Sequence, residues 1–226
     1  MPRFWEPQNA SSKDAPLKAL RDGDCFARVI RACPLQAHWL DGQPVTGVLP
    51  MAGITDRYHR FVVDGVPGAT GFAAVGDAWA GTNPSAGRGV SIGVVHAQLL
   101  RHTVRNHLGD PAAFARAWDA DTERVVSPFF RNQISADHVR LAEMTALREG
   151  RPWSPPDSPM TRLINAAAYD PDAFRAFLAT VMCLALPQDV LTLPKIKDTV
   201  ERIGDKTPPP FPGPDRGRLL QLLAGR

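Results

Sequence analysis

Asp77 is the side chain in this sequence whose setting best suits chemistry on a ligand. Phe72-Ala73-Ala74-Val75 is a short apolar run of the kind that forms a buried strand, and Gly76-Asp77 then puts one carboxylate at the strand's carboxyl end, aimed at a crevice. Asn83-Pro84-Ser85-Ala86-Gly87-Arg88-Gly89 follows as a turn rich in Gly and Pro, and the periodic run from Val90 to Leu100 predicts a largely buried helix. The first turn of such a helix carries unpaired N–H groups and a partial positive charge. It therefore stabilises a phosphate or an electron-rich ring oxygen, and Gly87 and Gly89 let that group approach the backbone. The plainer alternative is a tight strand-to-helix turn in which Asp77 is a surface cap.

Gly76-Asp77-Ala78, the P-x-x-G-x-G of Pro84, Gly87 and Gly89, and the apolar helix after them resemble the second flavin fingerprint of FAD-dependent monooxygenases and oxidoreductases of the p-hydroxybenzoate hydroxylase type. Tryptophan halogenases and geranylgeranyl reductases share the pattern more distantly. The resemblance covers about Arg31 to about Arg105. It implies that Gly76 and Asp77 lie at the ribityl chain of FAD, with the Asp77 carboxylate accepting a hydroxyl hydrogen bond. It also implies that Pro84 and the backbone of Gly87, Arg88 and Gly89 lie beside the pyrophosphate and the isoalloxazine carbonyl. One departure stands out: many relatives read Gly-Asp-Ala-Ala-His, whereas this chain reads Gly-Asp-Ala-Trp-Ala, so Trp79 replaces a small residue near the expected ring.

Proteins of that family begin with a strand, a G-x-G-x-x-G turn and a helix, which cradle the pyrophosphate of the adenosine half. These 226 residues contain no such pattern: Gly87-Arg88-Gly89-Val90-Ser91-Ile92 lacks the third glycine. The expectation is a carboxyl-terminal portion of a flavoprotein, with FAD binding weak or absent in the isolated chain and an amino-terminal flavoprotein half as a partner. Two rivals stand beside it. One is a non-catalytic remnant, or partner-binding module, that completes a split flavoprotein. The other is an unrelated small α/β protein whose helix start binds an anionic ligand.

The elements that must position these residues read as α/β to α+β, a partial FAD-binding fold of short strands followed by a mostly helical carboxyl-terminal region. Residues 1–110 would carry the incomplete flavin-binding and substrate-domain strands, and 111–226 the helical region, with Pro-rich loops at 151–159 and 207–214. The first twenty residues read largely as loop, and residues 16–30 as one or two short helices broken at Asp22-Gly23-Asp24. A hairpin or strand pair is expected from Leu35–Leu40 and Gly47–Met51 around Asp41-Gly42. Phe61-Val62-Val63, followed by an Asp64-Gly65 turn, looks like a strand neighbouring Phe72–Val75. Asp110 and Asp170 each precede a proline and should cap helices over 112–125 and 171–185. Further helices are expected over 135–149, 161–168 and after Pro194, with a short amphipathic tail at 219–223. Phe174, Phe177, Leu178, Val181, Met182 and Leu184 read as a core-facing stripe.

Composition narrows the function classes. With 44% hydrophobic residues the chain can bury a sizeable core. No apolar run is long enough to span a bilayer, and the amino terminus lacks the apolar core of a secretory signal, so a cytoplasmic location is the default. A net charge of +3, from scattered arginines without a basic block, does not favour nucleic acid. Cys25, Cys33 and Cys183 show no C-x-x-C spacing and read as reduced, buried thiols. His96, His102 and His107 are six and five residues apart, which puts no two imidazoles on one helix face and argues against a metal. His38 beside Trp39 and the cluster Asp56-Arg57-Tyr58-His59-Arg60 are the better candidates for lining a cavity, though a structural role weighs more for each. Asp137-His138 carries no distinctive signal. No nucleophile elbow is present, no general acid or base stands out, and the substrate implied by the resemblance is an apolar small molecule.

Overall fold

The computed structural model describes residues 15–49, 56–210 and 212–225. The first fourteen residues, where a loop is expected, and Met51 and Ile54 lie outside them. In chain order the elements are α1 (Gly23–Arg31), β1 (Arg57–Tyr58), β2 (Val62–Val63), β3 (Val66–Pro67), β4 (Ala80–Gly81), α2 (Gly89–His107), α3 (Pro111–Val125), α4 (Ser127–Arg148), α5 (Pro159–Ala167), α6 (Pro171–Val181), α7 (Pro187–Leu191), α8 (Pro194–Ile203) and α9 (Arg216–Leu223). The chain is mostly helical, compatible with an α-rich or α+β class. Among the described residues both strand pairs, β1 with β4 and β2 with β3, are antiparallel.

Helix starts follow the sequence closely. Asp22, Asp110, Ser158, Asp170 and Asp215 each accept a backbone N–H from the first turn of α1, α3, α5, α6 and α9. Proline occupies the first turn of α3, α5 and α6, where its missing N–H has no bond to lose. The same logic starts α4 at Ser127 rather than Ser135, with Pro128 in its first turn. The Asp64-Gly65 turn is realised with both residues at positive φ (50° and 76°), the geometry a two-residue hairpin needs, and it joins β2 to β3.

Strand expectations fared worse. Val75 is extended (φ −129°, ψ 143°), yet Phe72–Val75 pairs with no strand among the described residues. Phe72 turns its ring edge-on to Phe61, 4.9 Å away, and within the run only Ala74 is buried. The hairpin around Asp41-Gly42 is also absent from the described part of its arms. Ala37–Leu40 is a single 3₁₀ turn, and Leu35, Trp39 and Leu49 are exposed, with no partner face to bury them.

Two compact units emerge. The first holds residues 56–140 and 155–208; the second holds 15–49, 141–154, 209–210 and 212–225. In the first, one apolar cluster joins Trp79, Ala80, Ile92, Val126, Phe130 and Cys183, and another joins α5 to α8 through Leu163, Ala166, Ala173, Ala176, Val190, Ile196, Val200 and Ile203. The sequence-based division at 110/111 falls between α2 and α3, whose His96 and Trp118 rings stack 4.4 Å apart. In the second unit Cys25 and Val29 of α1 pack with Leu222 and Leu223 of α9.

Two helix faces differ from expectation. On α6 the buried residues are Ala173, Ala176 and Thr180, whereas Phe174, Met182 and Leu184 are exposed. Small side chains let α6 approach its neighbours closely, which leaves the large ones outside. Gly204, just past α8, follows the same rule: a Cβ there would lie 2.8 Å from Arg162 Cβ on α5. Helix α2 is amphipathic rather than largely buried, with Ile92, His96 and Thr103 inside and Val90 and Val94 outside. Among the described residues no helix is long and apolar enough to cross a membrane.

Candidate functional site

The Gly76–Ala78 turn and the start of α2 meet. Asp77 Oδ1 lies 3.8 Å from the point a Cβ on Gly89 would occupy, and Gly76 lies against Gly93, where a Cβ would stand 3.7 Å from Gly93 Cα. Gly76 (φ 57°) and Gly87 (φ 67°) take left-handed conformations that glycine adopts without strain, and the space beside Gly87 is open. Arg88 is the N-cap residue of α2, and its side chain makes no cap hydrogen bond, unlike those at the starts of α3, α5, α6 and α9. No side chain therefore caps the first-turn amides of α2, whose Gly89 lies beside Asp77. Pro84, itself exposed, opens the 3₁₀ turn that leads to Gly87.

Arg88 is only 7% exposed, and among the described residues its Nε and Nη1 find no hydrogen-bond partner. A buried guanidinium left unpaired is strongly unfavourable. Cys183 feels that charge, but burial dominates and pushes its thiol up.

His96 ties the Asp77 turn to the helices. The Gly76 N–H donates to Nδ1 (3.2 Å), so Nε2 carries the proton and donates to Thr122 Oγ1 (2.9 Å). The ring stacks on Trp118 and meets Trp79 edge-on at 5.2 Å. Full burial holds its pKa down to about 4, so the imidazole is neutral. Trp79, expected near the flavin ring, is itself in the core, packed on Tyr58, His96 and Phe130.

A second site lies between β1 and α4, a cavity of about 510 Å³ whose wall includes Asp56, Tyr58, Phe130, Arg131, Ile134 and His138. Asp56 is 8% exposed and Asp137 4%. Asp137 Oδ1 accepts from Asn83 Nδ2 and Gln133 Nε2, both at 3.0 Å, while Oδ2 of each aspartate has no partner among the described residues. Burial first, and the Asp137 charge second, push Asp56 up to about 6. The Tyr58 hydroxyl donates to Glu123, whose other oxygen pairs with Arg131 at 2.7 Å. Burial and that carboxylate push Tyr58 up to about 12.

No known protein family, curated protein or solved structure matches the chain.

The residues singled out by sequence thus fall in different places. Gly76, Asp77, Gly87, Arg88 and Gly89 gather at one turn and helix start. Within the Asp56–Arg60 cluster, Asp56 and Tyr58 line the larger cavity, Arg60 pairs with Asp119 (2.6 Å), and His59 is exposed beside the Ala78 carbonyl. His38 is exposed in the second unit, its ring edge-on to Trp39. Sequence reasoning missed His96 as the clasp and Asp137 as a buried charge. The Gln133–Asp137 spacing of four was the only local hint of the latter. Among the described residues no group of three or more His, Cys, Asp or Glu is placed to hold a metal ion.

Proposed function

We propose that residues 76–89 hold the ribityl and ring end of FAD, and that the chain works in the cytoplasm as part of an FAD-dependent oxidoreductase of the monooxygenase-like group. The observation that carries this reading is the Asp77 carboxylate beside Gly89, at a helix start with no side-chain cap. Asp77 can accept a hydroxyl hydrogen bond while the amides after Arg88 face an electron-rich oxygen a few ångströms away. FAD supplies the redox chemistry, passing electrons to oxygen or to a substrate double bond, and the substrate is an apolar small molecule.

The chain offers one half of a cradle. With no G-x-G-x-x-G in its sequence, the contacts that would offset the ordering of a dinucleotide are incomplete, and an amino-terminal flavoprotein half is the partner this reading calls for. Fluorescence titration of the isolated chain with FAD should give a Kd of roughly 100 µM or weaker. Asp77→Ala should weaken FAD at least tenfold and leave inorganic pyrophosphate unchanged. Equal FAD affinity in the variant and the parent would defeat the reading. Stoichiometrically yellow purified protein would contradict the half-cradle.

The start of α2, with no side-chain cap, also favours a simpler second reading, an anion site made by that helix start alone. In that case pyrophosphate binds as well as FAD, and Asp77→Ala affects neither.

A further inference from the structure

We propose that the cavity between β1 and α4 binds an organic ammonium ion with an apolar, preferably aromatic body, its charged nitrogen at Asp56 and its body against Tyr58, Phe130 and Ile134. The site goes beyond the flavin reading and stands without it.

Uncompensated charge is the first argument. Asp56 and Asp137 are both more than nine-tenths buried, each with one carboxylate oxygen that has no partner among the described residues. The donors that do reach Asp137, Asn83 and Gln133, are neutral amides and cancel no charge. Arg131, on the cavity wall, is committed to Glu123, which also takes the Tyr58 hydroxyl. Two carboxylates near each other in an apolar setting destabilise one another, and a bound cation relieves both the repulsion and the missing hydrogen bond.

Shape and lining decide which cation. Among the described residues no third His, Cys, Asp or Glu joins the two carboxylates, which by themselves fall short of what a divalent metal needs. A volume of about 510 Å³ lies in the range of organic-ligand sites. Tyr58 and Phe130, which stack at 5.4 Å and nearly parallel, both line the cavity and give it aromatic surface against which an aryl group can pack. An ammonium on a short arm from that aryl group reaches Asp56, with the negative charge of Asp137 behind it.

The test is calorimetric titration, in the absence of flavin, with 2-phenylethylamine, its neutral isostere 2-phenylethanol and the anion 3-phenylpropionate. The amine should bind at least about tenfold more tightly than the alcohol, and the anion should bind weakest. Asp56→Asn keeps the shape of the wall and removes a like-charge repulsion, so it should fold and should bring the amine down to the level of the alcohol. Ile134→Asp, which puts a charge on the apolar wall, should weaken the alcohol. The proposal is overturned if the alcohol equals the amine, if Asp56→Asn leaves the preference intact, or if the amine shows no binding. Loss of flavin binding in Asp77→Ala with amine binding unchanged would separate this site from the first.

Discussion

Replacing His96 by alanine is expected to lower the unfolding free energy by about 3–5 kcal/mol, the range for deleting a buried ring. The substitution empties the space between Trp118 and Trp79 and strips the partner from the Gly76 N–H and the Thr122 hydroxyl. His96→Phe separates the two effects. A phenyl ring keeps the stack on Trp118 but leaves the Gly76 amide and Thr122 unpaired, which should still cost about 2–4 kcal/mol. Urea unfolding measures both variants, with the midpoint expected to fall at unchanged slope. A His96→Phe protein as stable as the parent would show that the ring is filler and that its hydrogen bonds hold nothing. The Gly76 bond has a wider bearing, because it fixes the backbone immediately before Asp77.

A second large effect concerns acid. His96 has a folded pKa depressed to about 4 from 6.5, so the stability it contributes is present above 6.5 and is lost as pH falls through 4. Asp56 has a folded pKa raised to about 6 from 3.8, so its contribution is present below 3.8 and is lost as pH rises through 6. Between pH 4 and 6 the two slopes oppose each other, each worth about 2–3 kcal/mol across the window. The parent protein is therefore expected to show a nearly flat stability profile there. Asp56→Asn should unmask a fall of about 2–3 kcal/mol from pH 6.5 to 4, and His96→Phe a rise of similar size over the same acidification. Denaturant midpoints at half-unit pH steps check this, and parallel profiles for the two variants would refute the compensation. Burial is the larger cause of the raised Asp56 pKa and the Asp137 charge the smaller, so Asp137→Asn should pull the Asp56 titration part of the way toward ordinary carboxylate values.

Local signals in the sequence carried the helices well. Asp110-Pro111 and Asp170-Pro171 are complete start signals within two residues, and both act as read. Asp64-Gly65 is a turn whose chemistry is contained in its own backbone. The strand at Phe72–Val75 failed because a strand depends on a partner elsewhere in the chain, and here β1 pairs with Ala80-Gly81, beyond the Asp77 turn. The α6 face held only in part: Phe177 packs against the core, but hydrophobicity alone ranks Phe174 above Ala173, whereas close helix contact favours the smaller side chain. The meeting of Asp77 with Gly89 was legible, since only eleven residues, 78–88, link them. The approach of Asp137 to Asp56 was not, because it joins residues far apart in sequence and leaves almost no local trace.

Each unit hides one thiol. Cys183 is buried in the first and Cys25 in the second, while Cys33 is half-buried. A mild alkylating reagent would therefore find Cys33 first, and its later progress at Cys183 and Cys25 would run as two separate clocks, each timing how often its own unit opens to solvent.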